Sequence, residues 1–138
     1  MPAGYSATPL ARKLGYKEGF RVALLNAPEH YRELVAPLPP RVRILSRLGR
    51  DLDLVHLFSD QRRVLERRVP QCLASIRPDG ALWVSWPKKA SKVPTDVTED
   101  VVRAVALPLG LVDVKVCAVD EVWSGLKLVI RKELRGSR

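Results

Sequence analysis

Residues 51–87 decide the fold, and they read DLDLVHLFSDQRRVLERRVPQCLASIRPDGALWVSWP. The short apolar runs at 51–58 and 81–86 are typical of strands. Between them, apolar residues recur at the spacing of a helix that packs one side against a core. These residues are Leu65, Val69, Cys72, Leu73 and Ile76. A strand, a helix and a second strand in this order predict two parallel strands joined by a crossover.

Local signals refine this unit. Either Ser59 or Asp60 can cap the helix, because a short polar side chain accepts hydrogen bonds from the free N–H groups of the first turn. Pro70 lies inside the helix and has no N–H, so we expect it to bend or locally break the helix. The RPDG sequence at 77–80 predicts a turn that leads into the second strand.

The first third of the chain predicts one helix and two further strands. Pro9 suits the first position of a helix and Gly15 suits its exit, which indicates a short helix over residues 8–15. The apolar run FRVALLN at 20–26 is typical of a strand buried on both faces of a parallel sheet. A short helix stopped by prolines follows, and RVRIL at 41–45 predicts a short strand.

The last third of the chain predicts a helix and a hairpin. Asp96 and Glu99 have the spacing of a capping box, so a helix should begin at Asp96 and end near Gly110. Apolar runs at 111–119 and 126–132 are joined by a loop too short for a parallel crossover, so they must form an antiparallel hairpin. The apolar stripe of the helix contains Val97, Val101, Val105 and Leu109.

Strands that alternate with helices and end in a hairpin define the predicted fold class. It is an α/β fold, with a mostly parallel twisted sheet, helices on both faces and a C-terminal antiparallel hairpin. We expect a single domain over residues 1–138, because the length is that of one ordinary domain. Within it, residues from about 133 to 138 should form a tail.

The order of these segments resembles that of the class I methyltransferases, which bind S-adenosylmethionine. The resemblance covers roughly residues 18–132 and is strongest from Asp51 onward, through the acidic strand, the RPDG turn and the terminal hairpin. It implies a Rossmann-like, methyltransferase-like fold. The segments TPLARKLG, WPKKASKVPTD and VDEVWSGLKLVIRK are also similar to a small bacterial family of domains of unknown function, which implies no mechanism.

Two devices that hold the cofactor in class I methyltransferases are missing from this sequence. The family's first strand ends in a glycine-rich turn, whereas this strand runs into Ala27 and Pro28, and the next glycine is Gly49. The family's second strand ends in an acidic residue, whereas residues 41–50 are basic. One strand–helix unit of the first half is also missing. The resemblance therefore implies a truncated fold without the usual cofactor contacts.

Charge and cysteine content suggest the environment and the partners. The net charge of +9, from 24 basic and 15 acidic residues, favours anionic partners, although arginines spread along the chain also suit solvated faces. Cys72 and Cys117 are far apart and lack metal-site spacing, which indicates two buried thiols in a reducing cytoplasm. The sequence has no apolar run long enough to span a membrane, and its N-terminus lacks the features of a signal peptide.

The carboxyl ends of the strands are the predicted site, because ligands of open parallel sheets bind there, near a reversal of strand order. Lysines and a helix N-terminus suit a phosphate or a carboxylate, and tryptophan offers its face to a ring or a cation. The alternative is that these residues only cap helices or face water. The predicted ligand-binding residues are Asn26, Ser59, Asp60, Trp86, Lys88, Lys89, Ser91, Lys92, Asp120, Glu121, Trp123 and Ser124.

The sequence does not predict a catalytic centre or a metal site. His30 and His56 have no metal spacing, and His56 lies mid-strand, where a hydrogen-bonded core histidine is expected. The leading hypothesis is a non-catalytic binding or adaptor domain, without a cofactor, for an anionic small molecule or an acidic protein partner. The alternative is a compact methyltransferase that binds S-adenosylmethionine in an atypical way, with Asn26 and Asp60 in its pocket.

A third hypothesis is nucleic-acid binding, which the positive charge favours. Specific readers of single strands combine a basic groove with several exposed aromatic side chains. The strand pattern assigns most aromatic residues to the core and leaves Trp86, Trp123 and Tyr31 as stacking platforms. We therefore expect at most weak binding that is indifferent to sequence and sensitive to salt.

Overall fold

A computed structural model describes residues 8–137, and six strands and four α-helices form its framework. The strands are β1 Arg21–Leu25, β2 Arg43–Leu45, β3 Leu52–Phe58, β4 Ile76–Pro87, β5 Leu111–Ala118 and β6 Trp123–Ile130. The α-helices are α1 Leu10–Leu14, α2 Tyr31–Leu34, α3 Arg62–Ser75 and α4 Glu99–Ala106. Short 3-10 helices cover Lys89–Ser91, Leu107–Leu109 and Lys132–Ser137. Within residues 8–137, no helix is both long enough and apolar enough to cross a membrane.

All six strands belong to one sheet, in the order β2-β1-β3-β4-β6-β5. The pairs β1–β2, β1–β3 and β3–β4 are parallel, whereas β6 lies antiparallel between β4 and β5. The chain moves from β1 outward to β2 and then returns to the other side of β1 to form β3. This arrangement confirms the predicted mostly parallel α/β sheet and its C-terminal antiparallel hairpin.

Helices cover both faces of the sheet, as predicted. Apolar side chains of α3 and α4 pack on one face, where Leu65 and Val102 are fully buried. Residues of α1 and α2 pack on the other face, where Leu14 and Tyr31 meet the central strands. Trp83 is fully buried on this α1–α2 face, and its indole N–H donates to the Leu14 carbonyl at 2.8 Å. The predicted core position of Trp83 is therefore confirmed, and its hydrogen bond fixes α1 to the sheet.

The two ends of the described chain differ from prediction. The first helix begins at Leu10 rather than Thr8, because Pro9 adopts an extended backbone at the cap position; Gly15 ends the helix as expected, with φ 88°. Of the predicted tail from about 133 to 138, residues 133–137 lie in the 3-10 helix Lys132–Ser137, and residue 138 lies outside the described residues. Arg135 anchors this 3-10 helix by donating a hydrogen bond to the Ile130 carbonyl at 2.8 Å.

Helix α3 and the start of β4 also differ from prediction. Pro70 lies inside α3, yet the helix continues through it to Ser75. Ile76, predicted as part of the helix, is instead the first residue of β4. The RPDG segment is an insertion within the strand and not a preceding turn, since β3 pairs Leu52 with Ile76 and then Leu54 with Ala81.

Helix α4 is capped two residues later than predicted from Asp96. Its cap is Thr98, whose hydroxyl accepts a hydrogen bond from the Val101 N–H at 3.2 Å. The fully buried helix residues are Val102 and Ala106, while Val101 and Val105 pack only partly against the core. Of the predicted stripe, Val97 is buried in the core but precedes the helix, and Leu109 lies exposed in a 3-10 turn after the helix ends at Ala106.

The edge strand β5 contains a bulge. Asp113 pairs with Leu128 but Lys115 pairs with Lys127, so one extra residue, Val114, is inserted in β5. Val114 is 55% exposed, the most exposed of the large apolar residues in the described chain. The bulge turns the second half of β5 over, which places Cys117 in the core of the α1–α2 face.

Candidate functional site

Two cavities open at the carboxyl edge of the sheet, where the strand order reverses. One lies beside residues that follow β1 and β2, and the other beside residues that follow β1 and β3. Ligands of open α/β sheets bind at this edge. The cavity volumes are about 340 Å³ and 310 Å³, and Asn26 lines both. We call them the β2-side and β3-side cavities. A ligand that lies across Asn26 can therefore reach into both.

The β2-side cavity lies between α2 and the ends of β1 and β2. Leu24 and Ile44 contribute apolar surface, and Ser46 contributes a hydroxyl just after β2. Glu29 and Arg32 bring one negative and one positive charge to the same cavity. This wall can contact an apolar group and a charged group of one small molecule.

The β3-side cavity has an aromatic wall. Trp123 and Phe58 line it, and their rings meet edge to face with centroids 5.1 Å apart. Ser59 and Asp60, both predicted site residues, lie at its rim with Gln61. A half-buried tryptophan beside a carboxylate suits a flat ring or a cationic group.

The backbone at Asn26 adopts the conformation that glycine usually supplies. Its φ is 60°, in the left-handed region that asparagine tolerates better than most residues. No glycine follows the first strand before Gly49, which predicted that the usual turn is missing. The structure shows that the chain still turns sharply there, with the amide side chain of Asn26 exposed at the rim.

Asp120 organises the turn that positions Trp123. One carboxylate oxygen accepts hydrogen bonds from the backbone N–H groups of Val122 and Trp123 at 2.8 and 2.7 Å, and the other contacts His30 Nε2 at 2.9 Å. Burial alone would raise the pKa of this carboxyl, but the hydrogen bonds from Trp123, His30 and Val122 hold the pKa below its usual value. Asp120 is therefore largely occupied in holding the rim together.

His30 lies at this rim, but its place there was not predicted from the sequence. Its distance of 90 positions from Asp120 gave no signal, because neither residue belongs to a motif that requires the other. The contact joins the loop before α2 to the β5–β6 turn. It thereby links residues beside the β2-side cavity to residues beside the β3-side cavity.

A buried hydrogen-bonded chain lies beneath the rim. The Tyr31 hydroxyl contacts the Tyr16 hydroxyl at 2.8 Å and His56 Nδ1 at 2.9 Å, while His56 Nε2 contacts the Ser85 hydroxyl at 2.7 Å. Burial lowers the pKa of His56 to about 3, so the ring is neutral at ordinary pH. The predicted hydrogen-bonded core histidine is confirmed. The chain is buried in the α1–α2 face, and Tyr31 also lines the β2-side cavity.

The lysine-containing loop 88–92 lies beside the β5–β6 turn. The Lys88 N–H donates to the Val122 carbonyl at 2.8 Å, and the Ser91 hydroxyl donates to the Lys88 carbonyl at 2.7 Å. Lys89 is exposed, and Lys92 is exposed with φ 60°. Among residues 8–137, the two cavities are lined without any side chain from this loop. The structure thus places the lysines at the same edge but outside the cavities.

Three other predicted residues lie apart from the cavities. Trp86 is only 6% exposed and packs in the core of the α3–α4 face. Ser124 is half-buried in β6 opposite Trp86, and Glu121 is exposed in the turn. The rim therefore brings together Asn26, Ser59, Asp60 and Trp123, with Asp120 behind Trp123.

No family model matches the chain, and no curated protein matches it. Solved structures share its fold. A SAM-dependent methyltransferase from Aquifex aeolicus aligns with a TM-score of 0.63 and 13% identity, over 88% of each chain. Fibrillarin from Aeropyrum pernix, solved with natively bound S-adenosyl-L-methionine, aligns with a TM-score of 0.60 and 17% identity, over 91% of this chain and 70% of that one.

A TehB-like SAM-dependent methyltransferase from Corynebacterium glutamicum aligns with a TM-score of 0.54 and 11% identity, over 94% of this chain and 91% of that one. At such low identity these similarities concern the fold alone. The fold is methyltransferase-like, with a Rossmann-like sheet. Activity and ligand have to be argued from the residues of this chain.

Proposed function

We propose that this protein is a non-catalytic binding domain with a methyltransferase-like fold, and that it holds a small anionic molecule across Asn26. The observation that carries the proposal is the meeting of two cavities at Asn26, where the strand order reverses. Ligands of open α/β sheets bind at this place. We include in the proposal a cytoplasmic location, which two reduced, buried thiols suit.

The charged groups at the rim support an anionic ligand with a ring. Arg32 is the cationic residue among those that line the β2-side cavity. Trp123 lines the β3-side cavity and can stack on a ring. Lys88 and Lys89 extend the positive charge along the same edge, where they can contact an anionic part that projects from the cavities or an acidic protein partner.

Binding without methyl transfer is favoured by the residues around Asn26. Pro28 follows the turn and has no N–H to offer a ligand, whereas a glycine-rich turn presents several. Ser46 and Arg47 follow β2, where a carboxylate would hold ribose hydroxyl groups. Both differences weaken a site for S-adenosylmethionine.

Isothermal titration calorimetry over nucleotides and phosphorylated metabolites tests this proposal. We expect Arg32→Ala to weaken the binding of any anionic ligand by about tenfold or more, the worth of one charge-assisted hydrogen bond. Arg12→Ala is the matched control, because Arg12 is also an exposed arginine on a short helix of the same face. If Arg32→Ala and Arg12→Ala bind the ligand with equal affinity, the proposed position of the site is wrong. If the double variant Lys88→Ala/Lys89→Ala binds the ligand as tightly as the wild type, the lysine-containing loop is not part of the site.

A second candidate function is a compact methyltransferase with atypical cofactor binding. Its specific support is the similarity to a fibrillarin solved with natively bound S-adenosyl-L-methionine, together with Asp60 beside Trp123, which suits a cationic sulfonium. It predicts saturable binding of S-adenosylmethionine at about 1 μM to 1 mM. Calorimetry that gives no heat at millimolar cofactor would exclude it.

A further inference from the structure

Four lysines lie together on the α1–α2 face, away from the rim. Lys115 and Lys127 are directly opposite each other in the β5–β6 ladder. The Lys115 ammonium donates to the backbone carbonyl of Lys13 at 3.0 Å, and the charges of Lys13 and Lys115 both act on Cys117. Lys17 is close enough to Lys127 to act on its charge. We call these residues the β5–β6 lysine cluster.

The positive charges of the cluster repel one another. Like charges directly opposite in an antiparallel ladder destabilise the pair. Burial lowers the pKa of Lys127, and the charges of Lys115 and Lys17 lower it further. The pairing of these strands is fixed by the apolar residues around them, so the repulsion between Lys115 and Lys127 is built into the fold.

Gly15 allows Lys127 to approach α1. A Cβ atom at Gly15 would lie 3.3 Å from the Lys127 ammonium nitrogen, which is therefore packed closely against the end of the helix. The carbonyl groups of this end are already engaged, since Leu14 accepts from Trp83 and Lys13 accepts from Lys115. The helix end gives only partial compensation for four positive charges.

Within the described part of the chain, no carboxylate forms an ion pair with a lysine of the cluster. The ion pairs among residues 8–137 involve arginines and His30 and leave out every lysine of the cluster. Glu18, which follows Lys17, pairs with Arg41 instead. Positive charge is therefore concentrated at this place, and among residues 8–137 no carboxylate forms an ion pair with it.

We propose that the β5–β6 lysine cluster binds the phosphate group of a small molecule. An ammonium group is a compact cation with three donors, and several of them around one dianion satisfy both charge and hydrogen bonding. The site is independent of the proposed ligand across Asn26, since Lys127 lies four residues into β6 beyond Trp123. A small phosphate fits better than a nucleic-acid backbone, because the ammonium groups of Lys115 and Lys127 both lie at the end of α1 and do not follow a line.

Thermal unfolding with pyrophosphate, at constant ionic strength set by chloride, tests this proposal. We expect pyrophosphate to raise the Tm of the wild type. Lys115→Gln keeps a donor for the Lys13 carbonyl but removes the charge. It should therefore raise the Kd for pyrophosphate by tenfold or more. Without pyrophosphate its Tm should equal or exceed that of the wild type, because the repulsion is gone. Lys132→Gln, an exposed lysine outside the cluster, should behave as the wild type.

A second variant keeps the test decisive if Lys115→Gln folds poorly. Lys17→Gln removes an exposed charge and should also weaken pyrophosphate binding. The proposal is overturned if pyrophosphate does not raise the wild-type Tm, or if it stabilises Lys17→Gln and Lys132→Gln equally. It is also overturned if single-stranded oligonucleotides bind at the cluster while pyrophosphate and mononucleotides do not.

Discussion

The carboxylate of Asp96 accepts a hydrogen bond from the backbone N–H of Arg62 at 2.7 Å, so a residue of the loop after β4 caps the helix that follows β3. A second bond joins the same two loops, from the Thr95 hydroxyl to the Asp60 carbonyl at 2.7 Å. Helix α3 has no side-chain cap of its own at Gln61. The two loops at the carboxyl edge therefore hold each other in place.

This relationship predicts the effect of removing the cap. Asp96→Ala should lower the free energy of unfolding by about 0.5–2 kcal/mol, the usual worth of a helix cap. Asp96→Asn keeps an acceptor, so its free energy of unfolding should fall by less. The control is Asp100→Ala, because the Asp100 side chain is 96% exposed and its contact with Arg103 is a surface ion pair. Urea unfolding of all three variants gives the comparison, and equal losses at positions 96 and 100 would contradict the capping role.

The buried imidazole predicts a dependence of stability on pH. The unfolded chain binds a proton at His56 below about pH 6.5, whereas burial lowers the pKa in the folded chain to about 3. Stability should therefore fall as the pH decreases between these values. The loss between pH 7 and pH 5 should be about 2 kcal/mol. Urea unfolding at both pH values measures it.

The matched variants separate the two histidines. His56→Gln should remove most of this loss, since an amide can still contact Tyr31 and Ser85 without titrating. His30→Gln should still lose stability between pH 7 and pH 5, because this variant retains His56. A wild-type stability that is equal at pH 7 and pH 5 would show that His56 is not held neutral by burial.

Close packing at Gly125 predicts a destabilising substitution. A Cβ atom there would lie 2.9 Å from the Ser85 hydroxyl oxygen and 3.1 Å from a ring carbon of Trp83. Trp83 is fully buried and cannot move aside freely, so Gly125→Ala should cost about 1–3 kcal/mol. Gly49→Ala, with no atom within 4 Å of its Cβ, should change the free energy of unfolding by less than about 0.5 kcal/mol. Denaturant midpoints of the two variants should therefore differ clearly.

Nucleic-acid binding should be weak and indifferent to sequence. Two of the aromatic platforms considered from the sequence are covered, since Tyr31 is 1% and Trp86 is 6% exposed, which leaves Trp123. Exposed Arg62 and Arg63 can still contact phosphates. Fluorescence anisotropy with two unrelated oligonucleotides, at low and at near-physiological salt, measures this. Tight binding of one oligonucleotide alone at the higher salt would contradict the expectation.

Sequence patterns were sufficient for the sheet and its core because those depend on local periodicity. Alternation along β4 placed Trp83 in the core, and the short loop before β6 required a hairpin. The same reasoning placed Asn26, Ser59 and Asp60 at one edge, because they follow parallel strands. These inferences need only the direction of each strand.

Contacts between distant segments could not be predicted in this way. Asp96 has the local spacing of a cap for α4, but it caps α3, which lies 34 positions earlier. Trp86 has the position of a rim residue, but the α3–α4 layer covers β4 to its end and buries the side chain. His30 meets Asp120 only because the fold brings two loops together. In each case a tertiary neighbour outweighed the local signal.

The bulge at Val114 has a consequence for self-association. An exposed edge strand with Val112, Val114 and Val116 would otherwise be a template on which another chain could add a strand. The extra residue breaks the row of free N–H and C=O groups, so an incoming strand can keep its register for only a few residues on either side. Without this irregularity, the same three valines would favour growth of aggregates from the edge of β5.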